Sequence, residues 1–157
     1  MLQERMMGRD ITVEEARIVI EAMLQTAINL PEDPVNPAGN PMSLAVVDTA
    51  GVPVYVVRMD GASALTVRMA ANKSFTAIET RRDTIDSDNM LKKSGRDIAY
   101  FSAGESRLTY VPGGVLIRAK DGSIVGAIGT SGRMPPSKMT DEEIARIGAR
   151  AYLEAQR

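Results

Sequence analysis

The chain has 157 residues, 25% of them charged, and a formal net charge of −1. It is long enough to bury one core and lacks the basic excess of a nucleic-acid or membrane-surface binder. It has no cysteine and no histidine, which excludes disulfides, thiolate chemistry, a Ser-His-Asp triad and the commonest metal ligand. Acid–base work in such a chain falls to Asp, Glu, Lys, Tyr or bound water. One domain spanning residues 1–157 is expected. The start, Met1-Leu2-Gln3-Glu4-Arg5, carries no signal-like apolar core, and no run approaches membrane-spanning length. A cytoplasmic location is therefore expected, with small molecules or further copies of the chain as partners, and neither nucleic acid nor membrane.

The first predicted element is an amphipathic helix from about Thr12 to Ile28, with Val13, Ala16, Ile20, Met23, Leu24 and Ala27 at helical spacing. Thr12 and Glu15 form a capping box at its start. A proline-rich connector, Pro31 to Pro41, ends it. Met42–Val47 and Val52–Arg58 then read as an antiparallel hairpin about Asp48-Thr49-Ala50-Gly51. Leu44-Ala45-Val46-Val47 is apolar on both faces, which suits a mid-sheet strand, whereas Pro53 suits an edge.

A second helix is predicted from about Ser63 to Thr80, on the spacing of Leu65, Met69, Ala70, Ala77 and Ile78, and a shorter one from Thr84 to about Lys93. Thr84 is its expected cap, with Gly95 beyond its end. Ile98-Ala99-Tyr100-Phe101 reads as a short strand or a packed loop. A second hairpin follows, Val115–Ala119 and Ser123–Thr130 about Asp121-Gly122, where both turn residues can take positive φ. Arg133–Lys138 reads as a loop containing Pro135-Pro136. A last helix starts at Thr140, with Glu143 completing a capping box and Ile144, Ile147, Ala151 and Tyr152 as its buried stripe. Helices on both faces of a mostly antiparallel sheet would use all these apolar runs.

Several segments together carry a family resemblance: Ser43-Leu44-Ala45-Val46-Val47-Asp48 with Gly51, Arg58-Met59-Asp60-Gly61-Ala62, Lys73-Ser74-Phe75-Thr76-Ala77, Val111-Pro112-Gly113-Gly114-Val115-Leu116-Ile117 and Gly126-Ala127-Ile128-Gly129-Thr130-Ser131-Gly132. In order and spacing, from about Thr12 to Tyr152, the chain resembles the GlcG/HbpS-like family, the haem-degrading domain family that includes the C-terminal part of PduO-type proteins. The resemblance implies a profilin-like α/β/α domain (α+β) with a five-stranded antiparallel sheet, and assembly into dimers or larger homo-oligomers. It also implies haem or another tetrapyrrole as a ligand class. Without histidine, such binding would use Tyr, Met, a carboxylate, water or no axial protein ligand. The chain departs from the family pattern in a long connector over Pro31–Asn40, in Arg133 after Gly132, and in an extended approach to the last helix over Pro135–Thr140.

Glycines inside apolar strands need a reason, and close approach by a helix or a ligand would supply one. Gly113 and Gly114 could offer backbone amides to a ligand or simply feed the hairpin. Arg58 could grip a carboxylate with its planar fork, or hold a turn with Asp60. Lys73 shares a helix face with Leu65; there it is either a general base or imine former, or a side chain snorkelling at the helix edge. Thr130 and Ser131 are binding hydroxyls with no evident activating base. Glu105 and Tyr110 read as surface or packing residues, Asp86 and Asp88 as solvated helix-end acids, and Met6, Met7, Met59, Met69 and Met134 as core filler before haem ligands.

The leading expectation is a homo-oligomeric binder of a small organic ligand, contacted by Arg58, Lys73, Gly113, Gly114 and Ser131. Its rival is a cofactor-independent isomerase, tautomerase or hydrolase acting on a small carboxylated catabolic metabolite, with Arg58 as anchor and Lys73 or Asp60 moving a proton. A purely structural or regulatory oligomer, joined through the first and last helices, is the third reading. No metal site is expected.

Overall fold

Leu44, Val46 and Val47 need cover on two sides, and the fold supplies it with helices above and below one sheet. A computed structural model describes residues 6–32, 35, 41–97, 99, 102, 104–133 and 135–156. Of the Ile98–Phe101 segment, read as a strand or packed loop, only Ala99 is described, and it is helical; the rest of that segment, most of the Pro31–Pro41 connector and Met134 lie outside the described residues.

Helix α1 (Val13–Ile28) begins as the sequence requires: Thr12 Oγ1 accepts the Glu15 amide, and the Thr12 amide donates to the Glu15 carboxylate at 2.9 Å. Its Ala16, Val19, Ile20, Met23 and Ala27 are buried. After it come β1 (Ser43–Val47), β2 (Pro53–Arg58), α2 (Ala64–Thr80), α3 (Thr84–Ser94), β3 (Gly114–Arg118), β4 (Ile124–Ser131) and α4 (Asp141–Ala155), the last closed by the same kind of box between Thr140 and Glu143.

The sheet is antiparallel in the order β2-β1-β4-β3, so the doubly apolar β1 is internal and the proline-bearing β2 is an edge. Leu44, Val46, Val115, Ile117 and Ile128 pack with α1 and α4 on one face. Val47, Leu116 and Ala127 pack with Ala77 and Ile78 of α2 on the other. The result is the expected α/β/α layering, but the described residues hold four strands, not five. In place of a fifth, Met7 makes one parallel bridge with Ile124, because the chain bends at Arg9 and leaves for α1.

Both hairpins close in the same way. Asp48 N donates to Val52 O (2.9 Å) and Ala119 N to Ser123 O (2.9 Å), with Gly51 and Gly122 at φ +77° and +86°. Asp121, expected at positive φ, is not there: in a three-residue loop only the last position is left-handed. Asp121 instead accepts the Ser123 amide (2.9 Å). The short helix also starts differently. Asp83 is its N-cap, and Thr84 turns inward to accept the Gly114 amide at 2.9 Å.

Two of the strand glycines, Gly114 and Gly129, answer to a helix. A Cβ on Gly129 would lie 1.8 Å from Ala70 O, and one on Gly114 would lie 2.4 Å from Lys73 O, so the backbone of α2 rests directly on β3 and β4. Gly129→Ala is expected to lower unfolding free energy by about 3 kcal/mol, since neither backbone can yield cheaply; urea denaturation checks it, and a loss below about 1 kcal/mol would show that the layers are loosely packed.

Candidate functional site

Direct seating of α2 on the strands carries Lys73 into the end of the sheet. It is only 1% exposed, so the snorkelling reading is wrong: the strand glycines let the helix sink until its lysine is covered. The ammonium donates to Thr130 O at 2.8 Å and to Asp141 Oδ2 at 2.9 Å. Asp141 opens α4 on the opposite face of the sheet. Its other oxygen accepts the Arg133 amide at 2.8 Å, and its carbonyl accepts Thr130 Oγ1 at 2.7 Å. Burial pushes the Asp141 carboxyl up, against the opposing pull of Lys73 and the backbone amides of Arg133 and Gly132.

Two clefts flank this pair. One, of about 380 Å³, lies beside the first half of α2; Leu65, Met69 and Val111 form apolar walls, with Ser131, Lys73 and Asp141 at its base. The other, of about 600 Å³, lies between α3 and the start of α4, with Ile85, Val111 and Pro112 among its apolar lining. Both volumes fall within the range of small-molecule sites.

Lys73 and Ser131 are thus brought to one cleft. Arg58 and Asp60 are exposed and line neither cleft. Arg58 is in register with Ser43, and Ser43 with Ser131, which leaves Arg58 two strands away on the edge. The Gly113 and Gly114 amides turn inward, the first toward the Glu142 carboxylate and the second to Thr84 Oγ1. Gly113 has φ +123°, and a Cβ there would lie 3.0 Å from Lys73 Nζ. Gly113 therefore makes room for the ion pair, and Gly114 for the backbone of α2. Thr130 is consumed by the same network.

The remaining candidates are structural. Asp88 is buried and paired with Lys92 (2.6 Å), not a solvated helix-end acid. Glu105 is held down to about 2 by the Arg107 guanidinium. Burial pushes the Tyr110 hydroxyl up. Met59 packs against the α1 side of the core and Met7 against the α2 side; Met6 is exposed; Met69 reaches a cleft wall.

Asp141, Glu142, Asp83 and Arg146 were not anticipated. Glu142 and Asp83 share Arg146, at 2.6 and 3.3 Å. Burial raises both carboxyls above their ordinary values, and for Glu142 the nearby Asp83 adds to the rise while Arg146 opposes it. In the sequence, Asp141 and Glu142 are indistinguishable from ordinary first-turn acids. The available signal was a helix start that follows a glycine-rich strand after one loop.

Lys73→Met and Asp141→Asn should each cost about 3–5 kcal/mol, because each leaves a buried charge unmatched. The double replacement should cost clearly less than their sum; a denaturant double-mutant cycle reads the coupling. Glu142 titrates higher in the folded than in the unfolded chain, so the folded state holds the extra proton. Its contribution is favourable below the ordinary glutamate value and is lost as pH rises through the raised one. Glu142→Gln should therefore gain thermal stability relative to the parent as pH rises from 4 to 8, read by melting temperature; a constant gap across that range would contradict the raised carboxyl.

Among the described residues no helix is long and apolar enough to cross a membrane. No match was found among curated proteins. Among solved structures, a double mutant of HbpS from Streptomyces reticuli is 28% identical over 91% of this chain and 87% of its own, with a TM-score of 0.72. ORFY of Klebsiella pneumoniae is 20% identical, covering 92% of each chain at TM-score 0.75. PduOC, solved as a heme complex, is 20% identical over 90% of this chain and 94% of its own at TM-score 0.74. These last two share the fold. Residues 11–150 match the haem-degrading HbpS-like proteins, a span that runs from just before α1 into α4, and the chain accordingly belongs to the HbpS-like haem-degrading protein family.

Proposed function

We propose that this protein is a homo-oligomeric small-molecule binder whose ligand is a flat, largely apolar molecule of the tetrapyrrole class, seated in the cleft beside α2. The observation that carries the reading is the cleft itself. Leu65, Met69 and Val111 offer apolar contact, Ser131 offers one hydroxyl, and the base is fixed by the Lys73–Asp141 pair. Family membership and a relative solved with heme support the ligand class.

The donor set fits the macrocycle better than its iron. The chain has no His or Cys, and the described residues form no group of three His, Cys, Asp or Glu side chains able to hold a metal. Lys73 and Asp141 are committed to each other. The Met69 thioether is the soft donor on the cleft wall. Leu65, Met69 and Val111 would hold the ring by apolar contact, and bound haem would supply iron redox chemistry. Self-association is supported by Val13 and Ile28 of α1 and Leu153 of α4, all exposed apolar side chains.

Metal-free protoporphyrin should bind to within about tenfold of haemin, because apolar burial and not iron ligation supplies the affinity. Absorbance and fluorescence titrations test this, with Leu65→Asp expected to weaken both ligands together. Absence of saturable binding by either, or binding indifferent to Leu65→Asp, would overturn the assignment.

A further inference from the structure

The larger cleft has a different electrostatic character, set by charged side chains on its lining. Four carboxylates line it: Asp88, Asp141, Glu142 and Glu143. Asp88 is paired with Lys92, Asp141 with Lys73 and Glu142 with Arg146. Glu143 is held by the Thr140 amide at 2.7 Å and its hydroxyl at 3.2 Å. Three of the four thus have a cation partner within the protein, with Arg146 shared between Glu142 and Asp83, while among the described residues Glu143 is held by hydrogen bonds alone.

Lys138 also lines this cleft, is exposed and makes no ion pair with any described residue. The loop that carries it is anchored by Arg133, a side chain 1% exposed whose Nε donates to Met139 O at 2.7 Å. The Arg133 amide is itself on the Asp141 carboxylate. An unmatched cation therefore stands on a fixed loop at the mouth of a cleft with Ile85, Val111, Pro112 and Pro135 in its walls.

We infer that the cleft between α3 and the start of α4 is a second ligand site, which takes a small organic acid with an apolar body against Ile85 and Val111 and its carboxylate on Lys138. About 600 Å³ is ample for a ring-sized acid. The pairing of Asp88, Asp141 and Glu142 with cations offsets most of the repulsion that four carboxylates would otherwise exert on an anion. The site is separate from the tetrapyrrole cleft, though Val111 and Asp141 line both.

The test is a titration of the full chain with 2-naphthoate and, separately, uncharged 2-naphthamide, followed by amide chemical shifts. Saturable shifts at Ile85 and Ser137 are expected with naphthoate. Affinity should fall about tenfold in Lys138→Glu and with naphthamide, as expected for loss of one charge-assisted contact. Lys120→Glu, which changes charge on the exposed tip of the β3–β4 hairpin, should leave affinity unchanged. Shifts confined to Leu65, Met69 and Ser131, no saturable shift, or equal affinity for the amide and for Lys138→Glu would each overturn the proposal. Loss of haemin binding with retention of naphthoate binding would defeat the first assignment alone.

Discussion

The Lys73–Asp141 ion pair is the contact on which the rest of the site depends. Lys73 belongs to the helix on one face of the sheet and Asp141 opens a helix on the other, and the two meet around the end of β4 at 2.9 Å. Both side chains are almost wholly removed from water. Burying either charge alone is strongly unfavourable, so each holds the other, and with it the helix that carries it. Thr130 O, Thr130 Oγ1 and the Arg133 amide complete the set of partners. A buried pair of this kind adds little net stability over an apolar pair of equal shape. What it does here is fix the position of three chain segments to within hydrogen-bond tolerance, and those segments bound both clefts.

That constraint also governs the chemistry available. With histidine and cysteine absent, the lysine was the natural candidate for proton transfer or imine formation. Its commitment to a carboxylate and a carbonyl makes it a fixed part of the floor. The elements of the metabolite-converting constellation are not assembled: Arg58 and Asp60 sit at the exposed end of an edge strand, away from the clefts. Apolar walls on a rigid base are suited to holding a ligand by shape and burial. The second cleft differs in its charged lining, where the unmatched Lys138 is the basis of the inferred anion site.

Much of the fold was legible because it rests on local rules. The capping boxes at Thr12 and Thr140, the helical spacing through α1 and the doubly apolar β1 each specify their own structure without reference to distant residues. The site was less legible because its partners are far apart in sequence. Nothing local distinguishes Asp141 from Glu142 or Glu143, and only the seating of α2 on Gly114 and Gly129 brings Lys73 within reach of it. The same seating decides between the two readings of Gly114 and Gly129, close approach by a helix or by a ligand, in favour of the helix. Thr84 shows the limit on a smaller scale: as a capping residue it is interchangeable with Asp83, and the demand of the Gly114 amide decides which of them turns inward.

The most direct test of the central claim is a crystal structure of the protein soaked with protoporphyrin. The ring should lie in the cleft beside α2, in contact with Leu65, Met69 and Val111, with the Lys73–Asp141 pair intact beneath it. A ring bound elsewhere, or one that reached its place only by breaking that ion pair, would contradict the account.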